Sequence, residues 1–522
     1  MKSSIMRSSF RVKFLAVLTV LAMAFAALAF CPADTSDADN YIRVYSWDDM
    51  KKTIESAPSG KTIIVDTDFT DHSGDDNIYI DGKELYIDLD GHWIDRARGT
   101  PDGDDGRLFK ISGNSEVYIG NGTLKGGHGD DAGCILVKGG SQLHLQDLTI
   151  CDNYSSDDGG AIWADDSTIT IHNCNFTNNS CNDNGGAIYL EGNSAVHAED
   201  STFSNNFSDD DGGALYSNEC GYNIINCIIS KNHAGGNGGA YYADGDNDQD
   251  WVSFSKTSFS ENHADKNGGA IYNNKESIVI SSCTFDGNYC ATYGGAIYSE
   301  GGELDIEYRS TDPGEVVPTV FKNNNAPDSG GSLALFGTKC EVKDTVHENN
   351  HANACGGAIY ISDDSDVTIT NATFTGNNVL MDGGAVLVGE EGSKVTIAGK
   401  IVVKDNKAER NGPNVFIRSG NKLICNKLED GSTIGVVLAD GEDKFTERFG
   451  ENNPGVDPAK IFFSDNSSYY VGNDNGDARM YKSGTGGDMS DNTIWIIIGI
   501  IAAVIVIAAI IYVMKTRKTN SA

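Results

Sequence analysis

Basic residues are scarce in this chain. Lys and Arg number 39 against 75 Asp and Glu, and the formal net charge is −36. A surface of that sign repels phosphate backbones, which excludes nucleic acid as a direct partner. Proline is scarcer still, with nine residues against 61 glycines. The apolar share of 39% and the aromatic share of 9% are nevertheless enough to bury a core, so wholesale disorder is excluded as well. There is no CxxC pair, and the histidine spacing does not support a zinc site.

The two ends of the chain predict its compartment. Residues 1–13 hold Lys2, Arg7, Arg11 and Lys13 without an acid, an uncharged and largely apolar run follows over 14–30, and Ala27, Ala29 and Ala33 supply small residues for cleavage. This is the pattern of a secretory signal within residues 1–33. Cys31 suggests a lipid acceptor as the weaker alternative, since Phe30 directly before it is bulky where such sites resemble one another in carrying a small residue. At the other end, residues 494–514 form 21 uncharged positions, preceded by Asp488 and Asp491 and followed by Lys515, Arg517 and Lys518. At about 1.5 Å per residue such a helix spans a ~30 Å hydrocarbon layer, and the basic flank places residues 515–522 in the cytoplasm. The expectation is a single-pass protein of the cell membrane whose large N-terminal part is extracellular.

Between the ends runs an internal repeat. Gly pairs recur at 159/160, 185/186, 212/213, 238/239, 268/269, 294/295, 330/331, 356/357 and 383/384, in steps of 26, 27, 26, 30, 26, 36, 26 and 27 residues. An FxxN motif keeps step with them: Phe176 with Asn179, Phe203 with Asn206, Phe259 with Asn262, Phe285 with Asn288, Phe321 with Asn324 and Phe374 with Asn377. Ile150 with Asn153, Ile229 with Asn232, Val346 with Asn349 and Val403 with Asn406 fill the series.

Short alternating segments such as STITIHNCNF at 167–176 separate the motifs, and period-2 runs bounded by Gly, Asn and Asp predict strands. A unit of this size cannot bury its own apolar side and must stack on its neighbours. The predicted architecture is therefore all-β: a parallel coil over 61–412 with turns at the ~4.8 Å strand spacing and equivalent residues aligned in columns. Phe would stack inside, Asn amides would link successive turns, and Ile162, Ile188, Leu215, Ile271, Ile297, Leu333, Ile359 and Val386 would form an aliphatic column. The longer steps predict loops at 244–250 and 308–318. Ser46, with Trp47, Met50 and Ile54 at helical spacing, predicts a short capping helix in an N-terminal cap over 34–60. Residues 413–482 lose the repeat and predict a C-terminal cap, with a flexible stalk at 483–493.

The alternation of GGAIW, GGAIY and GGALY with FxxN over about residues 130–412 resembles the repeats of chlamydial polymorphic outer membrane proteins. It is still more similar to adhesin-like proteins of gut methanogens and anaerobic bacteria. The resemblance implies a right-handed parallel β-helix and a role in adhesion, binding a glycan or protein ligand on host or neighbouring cells. The chlamydial proteins end in a membrane β-barrel, whereas this chain ends in an apolar segment and a basic tail.

Parallel β-helices also host pectin-cleaving enzymes. Gly127, His128, Gly129 and Asp130 are similar to the GHG motif of polygalacturonases, and Asp130 with Asp131 would supply paired carboxylates. No Arg-Ile-Lys segment follows, and the pairs Asp157/Asp158 and Asp165/Asp166 fall in turns set by the repeat, so no catalytic residue is assigned. Lyase chemistry needs a basic cluster, and the basic residues are scattered.

Three further groups are candidates. Trp163, Tyr189, Tyr216, Tyr242, Tyr272, Tyr298 and Tyr360 follow the second Gly of their pairs by three, and strand alternation turns them outward as an exposed ladder for sugar rings. The competing reading has these rings shielding the coil by stacking on one another. Asp244, Asp246, Asp248 and Asp250 alternate as in a calcium loop, although Gln249 replaces the turn Gly and no Glu closes the loop; a solvated acidic insertion is the alternative. Calcium is the one cofactor so suggested. Cys174 with Cys181, Cys220 with Cys227, and Cys283 with Cys290 share one gap and are candidates for local disulfides or for buried thiols. Sequons at Asn121, Asn153, Asn175, Asn178, Asn206, Asn371 and Asn466 suit glycosylation only at exposed turns.

Overall fold

A computed structural model describes residues 41–483 except 72–76, 98–104, 246–250, 308–315 and 390–391. The expected signal, the expected membrane segment 494–514 with its tail, and the expected stalk beyond 483 lie outside the described residues. Among the described residues no helix is long and apolar enough to cross a membrane.

One turn shows how the repeat folds. After Gly185 and Gly186 come strands Ile188–Glu191, Ala195–Glu199, Thr202–Ser204 and Phe207–Ser208, and the chain returns to Gly212 and Gly213. Each strand pairs in parallel with its counterpart one turn on: Ile188 with Leu215, Ala195 with Gly221, Thr202 with Ile228, Phe207 with His233. The chain is thus a coil with four strand ladders along its length. The two-residue fourth strands build a separate sheet of 12 strands.

The corners are made by residues in the left-handed region: Gly185, Gly192, Asp200 and Asn205 have φ of 72°, 65°, 53° and 54°. Gly, Asn and Asp tolerate that region best, which explains their abundance between the short strands. The second Gly of each pair is needed for another reason. A Cβ on Gly186 would lie 2.2 Å from the Gly213 carbonyl oxygen of the next turn, so stacking at strand spacing admits no side chain there.

The interior is a set of columns. Phe176 and Phe203 stack with ring centres 4.9 Å apart, and Phe259, Phe285 and Phe321 stack at 4.7 and 4.8 Å. Beside them the asparagines form a continuous ladder. Asn179 donates from both its backbone N–H and Nδ2 to Asn206 Oδ1, and Asn206 does the same to Asn232 Oδ1. The Nδ2 of Asn206 also donates to the Phe176 carbonyl, so these buried amides satisfy both one another and the backbone at the corner. The ladder runs from Asn153 to Asn406.

One position of the series is corrected by a single residue. Phe321 pairs with His347, not Val346, and Asn324 donates to Asn350, not Asn349. Apolar preference selects Val346 in the sequence, but the continuous strand Lys339–Glu348 points His347 inward. His347 is fully buried and stacks between Phe321 and Phe374 at 4.8 and 4.6 Å.

Parallel pairing also reaches beyond 61–412. Tyr41–Val44 pairs with the strand Lys61–Val65. Downstream, Val415–Ile417, Leu423–Leu428, Thr433–Leu438 and Phe462–Ser464 continue the ladders before an antiparallel hairpin of Tyr469–Asp474 with Asp477–Lys482. Neither stretch carries the Gly pair, and residues 413–482, expected as a non-repeat cap, hold further turns of the coil. At the start, a helix spans Trp47–Ser56. Ser46 Oγ accepts from the Asp49 N–H, the Asp49 carboxylate accepts from the Tyr45 N–H, and Trp47, Met50 and Ile54 are buried. Lys83 Nζ donates to the Ile54 and Glu55 carbonyls, satisfying the helix C-terminus.

Candidate functional site

Outward positions of the strands carry whatever chemistry the coil has, because inward positions are committed to the columns. The first ladder puts Tyr189, Tyr216, Tyr242 and Tyr272 in one stack, with ring centres 5.1, 5.0 and 4.8 Å apart and planes within 13°. Tyr298 follows Tyr272 at 4.8 Å, and Trp163 and Tyr360 are half-buried along the same line. Where Ala334 interrupts the column, Phe336 packs between Tyr298 and Tyr360. This corrects the expectation of an open surface. Tyr189, Tyr216 and Tyr242 are 7 to 9% exposed, because face-to-face stacking hides the ring faces that a sugar would need. Burial, then Asp158, raises the Tyr189 hydroxyl pKa, so a carboxylate stands beside the stack.

A second outward column, not recognised in the sequence, lies on the sheet of two-residue strands. It runs through His128, Tyr154, Ser180, Phe207, His233, His263 and Tyr289 in successive turns. These side chains are half-buried to exposed. Tyr154 is turned 78° from His128, Phe207 62° from His233 and Tyr289 65° from His263, so several rings turn their faces away from the column axis. The irregular mix of residue types hid the column from any motif search; the constant offset from the Gly pair is the signal that marks it.

The loops after the short strands His128–Gly129, Tyr154–Ser155, Ser180–Cys181 and Phe207–Ser208 are acidic. The backbone N–H of Asp157 donates to the Asp130 carbonyl, Asp183 to Asp157 and Asp210 to Asp183, which puts four aspartates one above another. A side-chain hydrogen bond to Asp157, then burial, raises the Asp183 pKa above its ordinary value. The next residue along belongs to a second amide ladder. The Asn184 N–H donates to Asp158 Oδ1, the Asp211 N–H to Asn184 Oδ1, the Asn237 N–H to Asp211 Oδ1 and the Asn267 N–H to Asn237 Oδ1. Burial pushes Asp158 up to about 6, against the hydrogen bonds from Asn184. Asp158 and Asp211 therefore serve the ladder, and the Asp157/Asp158 pair is divided between two columns.

Elsewhere the sequence candidates separate. His128 and Gly129 of the GHGD segment lie in the short sheet between Asp105–Gly106 and Tyr154–Ser155, and Asp130 is ion-paired with Arg107, whose side chain is 3% exposed. Asp244 ends the strand Tyr241–Asp244 and accepts from Asn274 Nδ2 at 2.7 Å, while Asp246, Asp248 and Asp250 of the calcium loop lie outside the described residues. Ligand atoms close enough to share an ion do converge at Asp157, Asp158 and Asp183, and at His233, His263 and Asp265. His347 and His351, four apart, go to the core and to the short sheet, where they cannot share a metal.

All three candidate disulfides are unbridged, and the six cysteines are buried free thiols. The reason is columnar. Cys174, Cys227 and Cys283 occupy a corner column that Ser201, Thr257 and Thr319 fill in the intervening turns, with Cys174 N–H donating to Ser201 Oγ and Cys283 N–H to Thr319 Oγ1. Cys181 and Cys290 instead sit in the small-residue column of the short sheet beside Ser208 and Ala264. Cys220 lies at a third corner and donates to the Asn218 carbonyl. The thiols are small residues in their own columns, with carbonyl partners in place of one another. Of the sequons, Asn153 and Asn206 are buried in the amide ladder.

A family model described as "Right handed beta helix region" matches residues 42–229 and 133–310, which together cover 42–310. No curated protein and no solved structure matches the chain significantly.

Proposed function

The chain belongs to the right-handed β-helix family, and from that premise we propose that it is an adhesin-like protein of the cell surface that binds a glycan or protein ligand and performs no chemistry on it. In this reading residues 494–514 are its single-pass membrane anchor, and the helix Trp47–Ser56 shields the edge of the first turn. The observation that carries the proposal is the outward column on the short sheet. Seven turns at ~4.8 Å make a row of about 30 Å, long enough for several units of an extended polymer. His128, Tyr154, Phe207, His233, His263 and Tyr289 give that row aromatic and hydrogen-bonding groups at regular intervals. A row of this kind suits reading a repeating ligand along its length, whereas catalysis concentrates groups at one point.

The test uses the full chain in detergent, immobilised and offered host-type glycans and pectin. Retention of a ligand that is lost in the variant Tyr154→Ala, Phe207→Ala, Tyr289→Ala, with the circular dichroism melt preserved, is the expected result. Release of new reducing or unsaturated ends from pectin would favour a polysaccharide-acting enzyme instead. The absence of both retention and cleavage would leave a passive spacer.

A further inference from the structure

Within the short sheet, parallel pairing brings together two histidines that are 30 residues apart in the chain. His233 and His263 are direct partners in adjacent strands, with ring centres 4.7 Å apart and planes 7° from parallel. Asp265 lies two residues after His263. Its Oδ1 is 3.1 Å from His233 Nε2 and 3.3 Å from His263 Nε2. One ligand atom from each of the three lies within 4.8 Å of the others. We propose that His233, His263 and Asp265 form a binding site for a divalent transition metal of the zinc class.

The donor set selects the metal. Two imidazole nitrogens and one carboxylate oxygen suit zinc, cobalt or nickel, whereas calcium and magnesium prefer oxygen alone. Donors bound tetrahedrally at 2.0–2.1 Å stand about 3.4 Å apart, close to the two nitrogen–oxygen separations already present. Binding requires the two imidazoles, now nearly parallel, to turn toward each other so that both Nε2 lone pairs meet at one ion.

The surroundings hold these donors in place. Phe207 packs against His233 at 5.2 Å and Tyr289 against His263 at 4.9 Å, one on each side along the column. In the turn of His233 the position matching Asp265 is Gly235, whose N–H donates to Ser208 as that of Asp265 does to Ala234. No side chain there comes between Asp265 and His233. A Cβ on Gly235 would lie 2.1 Å from the Asp209 carbonyl oxygen, so the gap is kept open by backbone packing. The three side chains are 39, 40 and 50% exposed, which leaves the outer coordination positions to water or to a donor from another molecule.

The site stands apart from the ligand proposed above, since metal binding is read with no glycan present. Full chain in detergent is titrated with Zn2+ by calorimetry and with Co2+ by visible absorption. One equivalent should bind. His233→Phe and His263→Tyr place in the column rings that it already carries at Phe207 and Tyr289, and with Asp265→Asn each should weaken Zn2+ at least tenfold while the melt is retained. A second measurement needs no variant: Zn2+ should protect His233 and His263, but not His351, from diethyl pyrocarbonate. Absence of one-equivalent binding, unchanged affinity in the variants, or equal labelling with and without Zn2+ would each overturn the proposal.

Discussion

His347 Nδ1 and Ser332 Oγ are hydrogen-bonded across 2.9 Å, and the Ser332 hydroxyl also reaches the Ala358 carbonyl at 2.9 Å. Both residues depart from their columns at this one place. Ser332 stands where Ala161, Ala187, Ala214, Ala240, Ala270, Ala296, Ala358 and Ala385 follow their Gly pairs, and His347 stands among phenylalanines. The hydroxyl satisfies one imidazole nitrogen, and Nε2 is buried with no hydrogen-bond partner among the described residues. A polar pair stands here in place of the apolar pair of other turns.

The exchange makes the coil sensitive to acid. Burial lowers the His347 pKa from 6.5 to about 3. As pH falls below 6.5 the unfolded chain takes up a proton that the folded chain refuses, so stability present at neutral pH is lost progressively down to about pH 3. The loss reaches roughly 3 kcal/mol by pH 4.5. The variant His347→Phe, Ser332→Ala restores the usual pair of residues and should lose less stability between pH 7 and pH 4.5 by about that amount in urea melts. An identical pH dependence in both proteins would contradict this account.

Burial likewise pushes the Cys174, Cys227, Cys283 and Cys290 thiols up to about 12. Thiolate is the reactive form, so iodoacetamide at pH 8 should leave these residues unmodified in the folded chain and alkylate them in guanidinium. Dithiothreitol should not move the melting temperature. A native mass lower by two hydrogens per pair would show that bridges form after all.

Asn206→Ala removes the acceptor for the Asn179 N–H and Nδ2 and the donor to the Phe176 carbonyl. Orphaned buried groups cost about 1–3 kcal/mol each, so a loss of roughly 3 kcal/mol or more is expected. Hydrogen exchange should locate it, with protection falling first at the amides of Asn179 and Phe207. Uniform loss along the coil would argue against a local role for the ladder.

Two glycines should respond in opposite ways. Gly186→Ala drives a Cβ to 2.2 Å from the Gly213 carbonyl oxygen and should cost about 2 kcal/mol or more. Gly287, at φ 67°, has only Glu261 Cγ at 3.9 Å near its Cβ position, and other turns place Asn178, Asn205 and Asn323 there. Gly287→Asn should therefore shift the urea midpoint within about 0.5 kcal/mol of neutral. Equal destabilisation by both would mean that backbone conformation, rather than contact with the next turn, sets the need for glycine.

Much of this was legible in the linear chain, and the failures are as specific as the successes. Phe176, Phe203, Phe259, Phe285 and Phe321 are buried in one column because a residue type that recurs at a fixed offset from the Gly pair must recur at one place in the coil. Val346 and His347 were confused because hydropathy favours the wrong neighbour when register differs by one. Tyr189, Tyr216 and Tyr242 do point away from the main core, as alternation requires, but alternation carries no information about what stacks upon them. The histidine pair is not legible in the sequence, because 30 residues separate its members and no spacing rule joins them.

Sequence alone determined the period, the alternation of short strands with Gly, Asn and Asp turns, and the need for every turn to find a neighbour, since these follow from local geometry and from apolar surface that one turn cannot bury. Tertiary structure alone decided which outward column is open to solvent, which thiols face carbonyls rather than one another, and that His233, His263 and Asp265 meet. Those are properties of contact between successive turns, where residues far apart in the chain come to within a strand spacing.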